Sequence, residues 1–250
     1  MENQKPEFSM SAYLLPHINP EGMKFGAIAA TIAACDLVAA ALLTGFAPVA
    51  AYVLGALFLP LALLAYGTFL FFRDPERFPP EDDPKAVLSP ADGKVSMIVQ
   101  VPLPPEIAPP PAEGADAALA PLYTRVSVFM SVLNVHVNRM PTAATIVKKE
   151  YVPGEFLNAS LDKAPEVNER CCYLMETTDG AKYGVVQIAG LVAKRIVPFV
   201  EEGATLAQAE RFGLIRFGSR LDVYLPPGVK SEVRVGQIMV AGETVLGHLA

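Results

Sequence analysis

Between Phe25 and Phe72 the chain runs for 48 residues with a single charged side chain, Asp36. A stretch so long and apolar has few places to go, because a bilayer demands that its backbone groups be satisfied without water. It divides at Gly45-Phe46-Ala47-Pro48, a run with turn chemistry. Phe25–Thr44 gives 20 residues and Val49–Phe72 gives 24, each enough for a helix across ~30 Å of hydrocarbon. A cleaved signal would put its apolar core nearer the N-terminus and close on a small-residue site. Here a mixed segment, residues 1–24, comes first and a second span follows, so a retained helical hairpin over 25–72 is expected. Lys24 at one flank and Arg73 with Arg77 at the other favour the cytoplasmic side of the cell membrane. Asp36, in mid-span, is costly unless it faces protein or water; it could pair within a homodimer or face the other helix in protonated form.

The remainder reads as ordinary globular protein. The net charge is −6 with no block of Lys or Arg, which argues against nucleic acid, whose phosphates need clustered cations. Three cysteines, two of them adjacent at Cys171 and Cys172, make no disulfide framework. No CxxC pair or His cluster suggests a metal, so none is expected. The thiols are expected as small buried apolar groups in a reducing compartment.

Residues 73–86 form a Pro-rich juxtamembrane exit that cannot continue a helix for long. From Val87 to the C-terminus the pattern becomes short β-type runs split by Gly, Pro and Asp: Gly93–Val101, Thr124–Met130, Thr142–Tyr151, Cys171–Thr177, Tyr183–Ile188, Leu221–Leu225 and Glu232–Val235. A short helix is expected over Thr205–Arg211, and residues 102–121, with seven prolines, read as a surface loop. Val235 to Gly247 resembles a hairpin of a lipoyl or biotinyl-type β fold, without the exposed lysine that such a hairpin presents. The fold class expected is a mostly β domain over 87–250, with lipoyl/biotinyl-like elements, behind a transmembrane helical hairpin.

Three segments could carry chemistry. In Arg216-Phe217-Gly218-Ser219-Arg220, a Gly-Ser pair before a strand is by itself a turn. It is also a bond a serine can cut, since its hydroxyl can attack the preceding carbonyl when the peptide is strained, and Gly218 offers no side chain to block the approach. In Ser89-Pro90-Ala91-Asp92-Gly93, Asp-Gly is ordinary turn chemistry and Asp92 a candidate acid. In Asn134-Val135-His136-Val137-Asn138-Arg139, His136 could accept a proton in self-processing and donate one in a later reaction.

Taken together with Phe71-Phe72-Arg73-Asp74-Pro75, these motifs occur in the order and rough spacing of the phosphatidylserine decarboxylases, and the chain most resembles their short bacterial and archaeal form. The resemblance covers nearly everything from the hairpin onward, apart from the Pro-rich insert. It implies a proenzyme cut between Gly218 and Ser219 into a β chain, 1–218, and an α chain, 219–250. Ser219 then becomes a covalent pyruvoyl cofactor. Asp92 matches the family aspartate assigned to self-cleavage and His136 the first motif histidine. The longer form has a second histidine where this chain has Arg139, so either His136 does both jobs or Asp92 and Arg139 arrange cleavage differently, with Asn138 and Arg139 as support near cleavage or headgroup.

The resemblance further implies that the amine of phosphatidylserine forms a Schiff base with the pyruvoyl ketone and that CO2 leaves to give phosphatidylethanolamine. Lys148-Lys149 and Lys194-Arg195 could meet a lipid phosphate, or simply form a solvated charged face. Two other readings stand beside this one. The first is a membrane-tethered lipoyl/biotinyl-like adaptor without activity; the second is a family member that matures but acts on a different amine-bearing lipid or amino acid.

Overall fold

The computed structural model describes residues 17–80, 83–110, 120–156, 167–190, 195–216 and 219–249. The chain divides into two compact units, Met1–Glu76 and Arg77–Ala250.

The first unit is a helical hairpin. Strand β1 (His17–Ile18) leads into α1 (Pro20–Leu43). Helix α2 (Pro48–Phe71) returns to β2 (Arg73–Asp74), which pairs antiparallel with β1 and closes the base. Helix α1 starts ahead of the apolar stretch because Asn19 caps it, its Oδ1 accepting from Glu21 N at 3.1 Å, with Pro20 at the first helical position. Pro48 plays the same part in α2. Each helix has 24 residues, about 36 Å at 1.5 Å per residue. They touch along a thin seam where a Cβ on Gly22 would lie 2.1 Å from Phe72 and one on Gly26 would lie 2.3 Å from Phe69. Elsewhere large apolar side chains such as Ile28, Leu42, Tyr52 and Leu63 are exposed, so the helices are apolar all round. Such an exterior suits lipid, and it makes the unit a membrane-associating element. Asp36 is half-buried, with Oδ2 buried and unbonded among the described residues.

The second unit is almost entirely β. Its strands are β3 (Ala86–Leu88), β4 (Gly93–Val101), β5 (Tyr123–Met130), β6 (Val137–Arg139), β7 (Ala144–Val152), β8 (Arg170–Glu176) and β9 (Lys182–Ala189). They continue with β10 (Arg195–Pro198), β11 (Thr205–Leu206), β12 (Arg211–Arg216), β13 (Ser219–Leu225), β14 (Ile238–Met239) and β15 (Val245–His248). An eight-stranded antiparallel sheet runs β11-β7-β8-β9-β13-β5-β4-β14; a three-stranded sheet runs β10-β12-β6, and β15 pairs with β3. Strand β13 is buried along its whole length, as a strand flanked by β5 and β9 and covered on both faces must be. Ser219, Leu221, Val223 and Leu225 share one face. The three leucine and valine side chains pack there with Val126, Val128, Met130 and Phe212. On the other face Tyr224 packs with Cys172, Val186 and Ile188.

Five of the expected strands lie within a few residues of β4, β5, β7, β8 and β9, and Leu221–Leu225 falls within β13. The short helix over Thr205–Arg211 does not form. Thr205–Leu206 is β11, and the next four residues make a turn with Ala209 at φ 61°. Their backbone groups are claimed from elsewhere, Ala209 O by Arg139 Nη1 at 3.1 Å and Glu210 O by Met140 N at 2.8 Å. Glu232–Val235 is not a strand either, since Glu232 N binds Leu246 O and the next residues turn. The Val235–Gly247 segment does not close on itself as a hairpin: β14 pairs with β4 and β15 with β3. The Pro-rich stretch is more than surface, because Leu103 and Ile107 are buried against the second face of the large sheet; residues 111–119 of it lie outside the described residues. Cys171 and Cys172 are buried on opposite faces of β8, and burial pushes their thiols up to about 11 and about 12. Cys35, by contrast, is exposed on α1.

Candidate active site

The motifs singled out in the sequence meet at one end of the large sheet. Strand β5 ends at Met130, which lies opposite Ser219, the first residue of β13; Ser219 in turn lies opposite Ala189, the last of β9. Strand β4 begins at Gly93 beside Phe129, so Asp92 enters the same end, two strands from Ser219. Gly93 has φ 154°, and a Cβ there would lie 2.2 Å from Phe129 O, which requires glycine after Asp92. Strand β12 belongs to the three-stranded sheet and β13 to the large one, so the chain changes sheets between Arg216 and Ser219. Phe217 and Gly218, the expected cleavage side, lie outside the described residues.

Ser219 is fully buried, and its Oγ donates to Met130 Sδ at 3.9 Å. Asn138, also fully buried, sends its Nδ2 to the same sulfur at 3.8 Å. A thioether is a weak acceptor, so two buried donors share one soft partner. The amide of Asn138 does not turn freely. Its Oδ1 accepts from Gln187 Nε2 at 2.8 Å, and Gln187 Oε1 accepts from Tyr173 OH at 2.8 Å. Gly213, paired with Asn138 across β12 and β6, leaves room for that amide; a Cβ there would lie 2.8 Å from Gln187 Nε2. Burial drives the Tyr173 phenol far above its ordinary range, so it stays a neutral donor.

His136 is fully buried just before β6, with its own carbonyl accepting from Ile215 N at 3.3 Å. Its Nδ1 lies 2.9 Å from Asn134 O. A carbonyl can only accept, so Nδ1 carries a proton, and in the neutral form of the ring Nε2 is the basic nitrogen. The turn that supplies this carbonyl is itself held, because Ser131 N and Oγ both donate to Asn134 Oδ1, at 2.9 and 2.8 Å.

The Asp92 corner is built differently. Arg77 Nη2 reaches both carboxylate oxygens, at 2.9 and 2.8 Å, and Ala241 N donates to Oδ1 at 2.8 Å. Arg139 N donates to Pro90 O, and the Arg139 side chain packs beside Gly242, whose φ is 74°. The structure thus pairs Asp92 with Arg77, ties the Arg139 backbone to Pro90 of the same loop, and brings Ser219 and Asn138 to one sulfur. In the sequence Arg77 reads only as a flanking cation, Met130, Gln187 and Tyr173 carry no assigned role, and no motif spacing announces any of them. Of the candidate phosphate cations, Lys149 is tied to Val200 O and Glu201, Arg195 is exposed, and Lys194 lies outside the described residues. Among the described residues no cluster of His, Cys, Asp or Glu could hold a metal.

The family model for phosphatidylserine decarboxylase matches residues 67–247. Curated relatives agree over most of their length. A phosphatidylserine decarboxylase proenzyme of Erythrobacter litoralis is 50% identical over 94% of this chain and 88% of its own. The corresponding proenzyme of Novosphingobium aromaticivorans is 49% identical over 94% and 87%, and that of Ruegeria pomeroyi is 56% identical over 72% and 78%. What the fold describes as a β-rich domain behind an apolar hairpin therefore has a family: the chain belongs to the phosphatidylserine decarboxylases.

Proposed function

We propose that this chain is a self-processing enzyme that converts phosphatidylserine to phosphatidylethanolamine and CO2 at the cytoplasmic face of the cell membrane. One observation carries the reading beyond family membership: Ser219 is a fully buried hydroxyl whose partner is a thioether, at the point where the chain crosses from one sheet to the other. A serine kept for structure would be given a stronger acceptor.

In the proposed maturation, Ser219 Oγ adds to the Gly218 carbonyl carbon as His136 Nε2 takes its proton. The C–N bond breaks, the proton passes to the released nitrogen, and an ester remains. A base then removes the Cα proton of residue 219 as the Cβ–Oγ bond breaks, and Gly218 departs as a carboxylate. Addition of water and loss of ammonia leave a pyruvoyl group on residue 219. Arg139 cannot serve as the base because guanidinium stays protonated. Asp92, engaged by Arg77 and Ala241, is suited to fix the loop. His136 is the base proposed here, since its Nδ1 faces the Asn134 carbonyl and leaves Nε2 to accept a proton, and the same nitrogen can later return it.

The residues around position 219 fit such a group. Asn138 Nδ2, a donor locked by Gln187, shares the Met130 sulfur with Ser219 Oγ and so lies beside position 219, and that sulfur offers no competing acid. The pyruvoyl carbonyl would supply an electron sink as CO2 leaves. This chain's own part is to hold the donor, keep water out and deliver the proton to carbon from His136. Cutting need not release the α chain, because Ser219–Leu225 is paired with β5 on one side and β9 on the other, both from the β chain. Ser219→Ala should abolish both cleavage and CO2 release from phosphatidylserine in mixed micelles. A fully active uncut variant would sink the proposal.

A further inference from the structure

Two turns at the active-site end of the large sheet push aliphatic side chains into solvent. Val132 and Leu133, 50% and 69% exposed, form the tip of the Ser131–Asn134 turn. Val235 and Ile238, 62% and 73% exposed, lie in the turn leading into β14 and on that strand. Register brings them to one rim. Ile238 lies opposite Lys94, Lys94 lies opposite Phe129, and Met130, the next residue of β5, lies opposite Ser219. Lys94 and Arg234 are exposed among these side chains. Neither 131–136 nor 233–239 contains an acid, in a chain whose net charge is −6. Single exposed aliphatics are ordinary. Four at one sheet end, with two cations beside them and no acid in either turn segment, make a surface built for something amphiphilic and negative.

We propose that this rim docks on the anionic face of the bilayer. The four aliphatic side chains enter at the level of the headgroups, while Lys94 and Arg234 meet lipid phosphates and carboxylates. The chain itself argues for this occupant. Its apolar hairpin enters lipid, and only residues 72–76 separate the end of α2 from Arg77, a tether of roughly 20 Å when fully extended. The rim is also coupled to the chemistry, because the turn whose tip is Val132-Leu133 ends in the Asn134 carbonyl that holds His136. The proposal deepens the decarboxylase reading by naming where the lipid substrate would be delivered, and it rests on that reading for the substrate alone.

The chain has no tryptophan, so a single one is a clean reporter. Leu133→Trp and Ile238→Trp would be compared with Leu122→Trp in the full chain, reconstituted into phosphatidylcholine vesicles with and without phosphatidylglycerol. Leu122 is 53% exposed just before the first residue of β5, roughly 26 Å from Met130 along the strand. The expected result is blue-shifted emission from L133W and I238W, lost to lipids brominated near the headgroup and stronger with phosphatidylglycerol, while L122W stays open to iodide. If all three are equally open to iodide and untouched by brominated lipid, the proposal is overturned. Protection from iodide without lipid quenching would also overturn it, since that is the signature of a second protein copy on the rim. Intact mass and CO2 release are read on the same samples. A chain that cuts and turns over with an iodide-accessible rim refutes only the docking; an uncut chain with a lipid-quenched rim refutes only the decarboxylase reading.

Discussion

The two corners of the candidate active site spend their polar groups in opposite ways. At Asp92, both carboxylate oxygens are engaged by Arg77 and one also by Ala241 N. At Ser219, two buried donors converge on a sulfur that accepts weakly. Buried polar groups usually find strong partners, because leaving them short costs about 1–3 kcal/mol. The saturated corner is therefore read as frame, and the under-served corner as the place where bonds change. Distance in sequence reinforces the contrast: Asp92 is tied to Ala241 across 149 positions, which fastens the loop to the C-terminal segment.

That contrast can be broken from either side. The largest effect is expected at His136. Replacement by Ala should stop maturation or turnover outright, read by intact mass and CO2 release; normal values for both would remove it from the site. Asp92→Asn comes next. It leaves Arg77 without its partner in a mostly buried pair, so stability should fall by about 2–3 kcal/mol in chemical denaturation and maturation should slow. An unchanged midpoint would mean the frame is held elsewhere.

The chain from Tyr173 through Gln187 to Asn138 gives a subtler test. Tyr173→Phe removes one hydrogen bond and should cost about 1 kcal/mol. Gln187→Leu should slow self-cleavage more than its loss of stability explains, because Asn138 Nδ2 is then free to turn away. Cleavage rates that simply track Tm would make the relay structural only. The smallest effect lies at His248, outside the site, where hydrogen bonding to Glu232 and the nearby Asp83 raises the pKa of an exposed ring. A raised folded-state pKa adds stability below the ordinary histidine value of about 6.5, lost as pH climbs through the raised one. The wild-type advantage over His248→Gln should thus be slight near pH 6 and absent near pH 9.

The hairpin was legible because its signal is local and compositional: one charge in 48 residues leaves little choice. Strands such as β4, bounded by Gly93 and Pro102, were legible for the same reason. The candidate site was legible only as motifs, around Asp92, His136 and Ser219, and not as a network. Arg77 looked like a flanking cation, and nothing near it announces a partner at Asp92. Gln187 sits in a β run with no mark of its own, and its meaning comes from Tyr173 and Asn138 on other strands. The expected helix over Thr205–Arg211 failed on the same principle, since tertiary partners from Arg139 and Met140 claimed the backbone that local pattern offered to a helix.

The most direct test is an intact mass spectrum of freshly purified protein under denaturing conditions. The account predicts two species, one ending at Gly218 and one running from residue 219 to Ala250 with its amino terminus replaced by a pyruvoyl group. A single uncut chain, stable through prolonged incubation with membranes, would contradict it.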